Sequence, residues 1–205
     1  APTCLGGELG RLCAALRREP TADGASLDAA LALEALRLGP LLEMVSAQLA
    51  VEGTVGGTAR LHHTATETTG RADFVASPGR INNLLAPPTT GPLIAWDGLR
   101  VAVETADGDV NGRGTFDLGE YGALEVAASV PLERDRPFGE WPLAGEVTGE
   151  LTVPARLGDI SRNVTGLAGR IDAAVAVGGT PGAPSLEGRV DASGLAAEVP
   201  PFGLA

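Results

Sequence analysis

From residue 49 onward, apolar or small residues occupy every second position. Leu49, Val51, Gly53, Val55, Gly57, Ala59 and Leu61 form the first such run, and Ala72, Phe74 and Ala76 the next. Leu99, Val101 and Val103 follow, then Val110, Gly112, Gly114, Phe116 and Leu118, then Leu124, Val126, Ala128 and Val130. The pattern resumes at Leu143, Gly145, Val147, Gly149, Leu151 and Val153, at Leu167, Gly169, Ile171, Ala173, Val175 and Val177, and at Leu186, Gly188, Val190 and Ala192. A period of two gives each strand one apolar and one polar face. The runs are punctuated by Ser77-Pro-Gly79, by Ala106-Asp-Gly108 (a hairpin turn of the Asp-Gly type), by Gly119-Glu-Tyr-Gly122 and by Gly178-Gly-Thr-Pro-Gly-Ala-Pro184. Looser connections fall at Asn82–Gly91, with Pro87-Pro88, at the polar Glu133–Glu140 and at Pro154–Val164. The pattern predicts roughly nine or ten strands in sequential order.

The N-terminal quarter reads differently. Residues 1–25 hold both cysteines and a loop, Pro20-Thr-Ala-Asp-Gly24. Residues 26–48 hold a partly alternating stretch (Leu27, Ala29, Leu31, Leu33) and a predicted helix over 40–48. Pro40 suits a first helical turn, and Leu41, Leu42, Val45 and Leu49 share a face. About two turns cannot stand alone, so this helix is expected to dock on an apolar surface at one end of the sheet. Residues 49–205 are repeated strand cassettes, and 1–205 reads as one section of a longer β protein.

Composition sharpens the fold class. Aromatics make up 3% of the 205 residues while glycine numbers 29. A compact sandwich would carry shorter strands and larger core residues. Long strands with glycines near their starts predict a mainly β protein: a long, curved, mostly antiparallel sheet forming a half-pipe with an apolar interior, plus one short helix.

The net charge is −11, every basic residue is arginine, and no basic cluster exceeds Arg17-Arg18. That argues against nucleic acid and against docking on an anionic membrane surface. No run is long and apolar enough for a transmembrane helix. The start, Ala1-Pro-Thr-Cys4, lacks the features of a signal peptide, and the chain reads as an excised piece.

Chemistry is sparse. His62 and His63 are adjacent on a strand end and point to opposite faces, one exposed and one half-buried. Ser129, Ser161 and Ser193 sit in no nucleophile-elbow pattern. Asp107-Gly-Asp109 with Asn111 fits a hairpin turn better than a calcium loop. Asn163-Val-Thr165 matches a glycosylation sequon, and Trp96 and Trp141 read as packing residues. The expectation is a protein with no catalytic residues, metal or cofactor. Cys4 and Cys13 admit four readings: a disulfide, two unrelated thiols, part of a metal site, or one face of a helix with Leu9, Leu12 and Leu16.

Several segments resemble the TamB family of AsmA-like bridge proteins. They are Leu38-Gly-Pro-Leu-Leu42, Leu49-Ala-Val-Glu-Gly-Thr-Val-Gly-Gly57, Trp96-Asp-Gly-Leu99, Gly145-Glu-Val-Thr-Gly-Glu-Leu151, Leu167-Ala-Gly-Arg-Ile-Asp-Ala173 with Val177-Gly-Gly-Thr-Pro-Gly-Ala-Pro184, and Leu186-Glu-Gly-Arg-Val190. The Cys4…Cys13 pair is similar to a cysteine hairpin in that family. The likeness covers most of the chain and weakens at Ala65–Pro92 and Pro154–Val164. It implies a periplasmic β-taco with an inner-membrane anchor outside this segment and a TamA-like outer-membrane barrel as partner. It also implies a role in phospholipid movement between the membranes and in outer-membrane protein assembly.

The residues independently predict an apolar trough that needs a cover. Its candidate lining, suited to phospholipid acyl chains, is Val51, Val55, Leu61, Phe74, Val101, Val103, Phe116, Leu118, Leu124, Val126, Val130, Leu143, Val147, Leu151, Ile171, Val175, Leu186 and Val190. The alternatives are a module that receives strands of outer-membrane proteins and a structural spacer without lipid conduction.

Overall fold

A computed structural model describes residues 2–21, 24–40, 49–84, 91–106, 108–133, 136–153 and 165–198. Each period-two segment forms strand over most of its length. They are β1 Thr3–Gly7, β2 Gly10–Thr21, β3 Gly24–Arg37, β4 Leu49–Glu52, β5 Thr54–His63, β6 Thr68–Ala76 and β7 Gly79–Asn83. β8 Ile94–Trp96, β9 Gly98–Ala106, β10 Asp109–Asp117, β11 Gly122–Pro131, β12 Ala144–Thr152, β13 Thr165–Thr180 and β14 Ala183–Glu198 complete the set. Short 3-10 turns occupy Gly119–Tyr121 and Phe138–Glu140.

Eleven strands form one antiparallel sheet in the order β1-β2-β3-β5-β6-β9-β10-β11-β12-β13-β14. β1 and β14 are its edges and do not pair with each other, so the sheet is open. The half-pipe expected from the sequence is this sheet: mainly β, antiparallel and not closed into a barrel.

The other three strands form a small sheet in the order β4-β7-β8. Each is the continuation of a strand in the large sheet. β4 runs into β5 at Gly53, β6 into β7 through Ser77-Pro78, and β8 into β9 at Asp97. The order β4-β7-β8 therefore repeats β5-β6-β9, and three neighbouring strands turn one corner together. Gly53 makes its turn at φ 143°, a backbone region disfavoured for other residues, with the Trp96 ring against it. The Trp96 indole N–H donates to the Ser77 carbonyl (2.8 Å), and the Ser77 hydroxyl accepts from the Thr54 amide (3.0 Å). Ala76 and Leu93, beside this corner, are the buried apolar residues among those described.

Several expectations need correction. The run from Leu49 to Leu61 is two strands, because Gly53 breaks it while preserving the alternation. Pro20 and Thr21 belong to β2 and Gly24 to β3, which narrows the predicted Pro20–Gly24 loop to residues 22–23, outside the described residues. Gly10 to Leu16 is strand and Leu9 lies in the turn before it, which removes the helical reading. The predicted break at Gly178–Pro184 is a two-residue turn, since Thr180 pairs with Ala183. Among the described residues there are fourteen strands where nine or ten were expected, because the corner divides three of them and β1 and β2 add to the N-terminal end. Gly39 and Pro40 have helical backbone, and 41–48 lie outside the described residues, as do Pro87-Pro88, Asp107 and 154–164 with Ser161 and Asn163. No helix among the described residues is long and apolar enough to cross a membrane.

Candidate functional site

Residues directly opposite in an antiparallel pair project to the same side, so the register sorts every position onto one of two faces. Val126 stands opposite Gly114 on one side and Val147 on the other. Followed outward, the ladder reads Leu5, Leu12, Leu33, Gly57, Phe74, Val101, Gly114, Val126, Val147, Val175 and Gly188. It crosses all eleven strands, about 48 Å at the usual strand spacing, without one polar side chain. The neighbouring row from Ala14 through Leu31, Ala59, Ala72, Val103, Gly112, Ala128, Gly145 and Val177 to Leu186 is equally apolar.

All but three of the predicted lining residues fall on this face. Val51 lies on β4, where it pairs with Ile81 of the small sheet. Leu118 follows β10, and its amide donates to the Gly122 carbonyl (2.8 Å) in the turn. Leu143 precedes β12, with its amide on the Gly179 carbonyl (2.9 Å). These three are outside the large sheet's ladder. The sequence-based lining also missed Leu5, Leu12, Leu16, Leu27, Leu31, Leu33, Leu36, Leu99, Val110 and Val177, which the register places on the same face. The alternation at Leu27–Leu33 already carried part of that signal.

The opposite face is polar and charged. It carries the ion pairs Arg11–Glu34 (3.5 Å), Arg71–Asp73 (2.8 Å) and Arg170–Glu150 (2.5 Å). His62 Nδ1 lies 2.7 Å from Asp28 Oδ1 on the same face. The hydrogen bond from Arg71 holds the Asp73 carboxyl below its ordinary pKa, and the same bond raises that of Arg71. His63 projects to the apolar face, where its Nδ1 is 2.8 Å from the Thr68 hydroxyl; the two histidines thus face opposite sides, His62 exposed and His63 half-buried, as expected.

Exposure follows the two faces in the middle of the sheet. In β10, Asn111, Arg113, Thr115 and Asp117 are exposed, Gly112 and Phe116 are half-buried and Gly114 is buried. In β13, Ile171, Ala173 and Val175 are half-buried between exposed Asp172, Ala174 and Ala176. Apart from Ser26, Ala76, Leu93 and Gly114, the described residues are at most half-buried, and no side chain described is fully buried. Toward the edges the apolar face lies open: Leu5 is 71% exposed, Leu16 73% and Leu186 72%. The chain exposes 13211 Å², where a compact monomer of 20.7 kDa would expose about 9,000 Å².

Glycines facing large neighbours shape this surface. The Phe74 ring lies over Gly57, where a Cβ would stand 2.5 Å from its Cδ1, and Leu124 lies over Gly149 at the same separation from its Cδ2. One concavity of about 720 Å³ takes its lining from Thr3 of β1 to Val103 and Thr105 of β9, with Ala14, Leu16, Leu31 and Leu61 between. Residues from β1 to β9 share this one hollow.

Cys4 and Cys13 are directly paired across β1 and β2 and joined by a disulfide on the polar face. This settles their four readings. Every residue of β1 is exposed, so the bond and the backbone ladder hold that edge strand in place.

No protein-family model, curated protein or solved structure matches the chain.

Proposed function

We propose that this chain is a periplasmic section of a TamB-like bridge protein, non-enzymatic, whose apolar face carries phospholipid acyl chains between the inner and outer membranes. In this reading the full-length protein works with a TamA-like outer-membrane barrel and supports outer-membrane protein assembly. The observation that carries it is the apolar ladder from Leu5 to Gly188, continuous across eleven strands, with no described side chain on it fully buried and Leu5 and Leu12 exposed. Water on such a surface is unfavourable, and each acyl methylene that replaces it gains about 0.8 kcal/mol. A ladder without polar anchors holds no chain at one place, so an acyl chain can move along it. The disulfide supports an oxidising compartment.

The test is native mass spectrometry of the purified protein, with extraction of bound lipid. Co-purified phospholipid that is lost in a V126E/V147E variant, with β content kept by circular dichroism, is the expected result. A lipid-free mass from a folded wild-type protein would overturn it.

The unpaired edge of β14, sixteen residues long, favours a second reading, in which outer-membrane protein strands add to the sheet by backbone pairing. Peptide binding that is blocked by backbone N-methylation and insensitive to V126E/V147E would select it.

A further inference from the structure

The apolar face has one charged position within the regular registers of the large sheet. Arg18 of β2 pairs with Leu27 of β3, which pairs with His63 of β5, which pairs with Thr68 of β6. This row lies next to the one formed by Leu16, Ala29, Leu61 and Gly70, which line the concavity described above. Two residues of strand separate the rows, about 7 Å, which is within the reach of an arginine side chain. The hollow is therefore lined mostly by apolar residues, with Thr3, Arg60, Arg71 and Thr105 among them, and the row beside it, its lip, carries a cation, an imidazole and a hydroxyl.

Resting on the conduit reading, we infer that this lip is a head-group site for a phosphate-bearing diacyl lipid. Arg18 takes the phosphate, and the acyl chains lie on Leu16, Leu61 and Leu31. Arginine binds phosphate through paired N–H donors, and such charge-assisted bonds are the strong ones. Charge complementarity selects this occupant. In a chain of net charge −11, the single inward charge is positive and sits where the apolar rows end. A fatty acyl chain alone would give Arg18 nothing to bind, and a soluble phosphate would gain nothing from Leu16 and Leu61. The neighbouring Arg17 projects to the polar face, where it pairs with Glu19 at 2.5 Å, and so provides an internal control of equal charge.

The experiment compares binding of phosphatidylglycerol and of diacylglycerol with the same acyl chains, presented in detergent micelles, to the wild-type protein, R18A and R17A. The expected result is a preference for phosphatidylglycerol in wild type and R17A. In R18A that preference falls by about tenfold, with diacylglycerol binding unchanged. An unchanged preference in R18A, or an equal fall in R17A, overturns the head-group site and leaves the groove standing. If the wild type binds neither lipid, the conduit reading fails and this inference fails with it.

Discussion

Val126 of β11 and Val147 of β12 face each other directly across the ladder, both on the apolar side and both half-buried. In a closed core such a pair would be sealed, and truncating either side chain would remove its full transfer energy, about 1.5–3 kcal/mol for a buried aliphatic residue. On an open face much of that energy is never gained. V126A and V147A are therefore each expected to cost under about 1 kcal/mol in urea unfolding. A larger cost would mean that the face is covered.

Glycine on the apolar face is expected to be far less replaceable than its exposure suggests. A Cβ at Gly57 or Gly149 would collide with Phe74 or Leu124 and with the backbone carbonyl of Asp73 or Ala123. Backbone cannot yield cheaply, so G57A and G149A should each lose about 1–3 kcal/mol, the range for overpacking. Gly98 has open space around its Cβ position, and G98A should change the thermal midpoint little.

The Cys4–Cys13 bond closes a loop with a sequence separation of 9, for which chain entropy gives about 3 kcal/mol or slightly less. Because β1 is exposed throughout, the effect should be local. In a C4S/C13S variant, hydrogen exchange at residues 3–7 should become fast while β9 to β12 keep their protection. Uniform loss of protection would contradict this.

The Asp73 carboxyl has its pKa lowered by the hydrogen bond from Arg71. The stability it adds is present above the unfolded carboxylate pKa and is lost as pH falls through the lowered folded value. The pair is exposed and screened by solvent and salt, so the contribution is small. D73N should lower the urea midpoint slightly at neutral pH, and the difference from wild type should vanish in acid. A growing difference at low pH would refute the assignment.

Much of this arrangement was legible in the sequence because one period governs it. The alternation through Phe74, Val101, Val126, Val147 and Val175 gives the apolar face directly, and the register then lines those positions up. The corner was not legible. Gly53 occupies an alternating position, so the run from Val51 to Val55 keeps its parity while the chain passes from one sheet to another. The first strands were hidden for a different reason. Leu9, Leu12, Cys13 and Leu16 satisfy helical spacing as well as partial alternation, and only pairing with β1 and β3 decides between the two. At Ala35, φ is 50° and the register shifts between Leu33 and Leu36. From that point the inward positions change from odd to even, which no fixed period anticipates.

Strand order in the large sheet follows chain order, and that has a consequence for how the molecule is made. Apart from the two joins that span the corner, each strand meets the partner that was synthesised immediately before it. Strands pair mostly with their neighbours in the chain, so the loop-closure entropy is paid in small steps. A hairpin can dock on a finished edge without waiting for the rest of the chain, so the sheet can be laid down strand by strand as the polypeptide emerges.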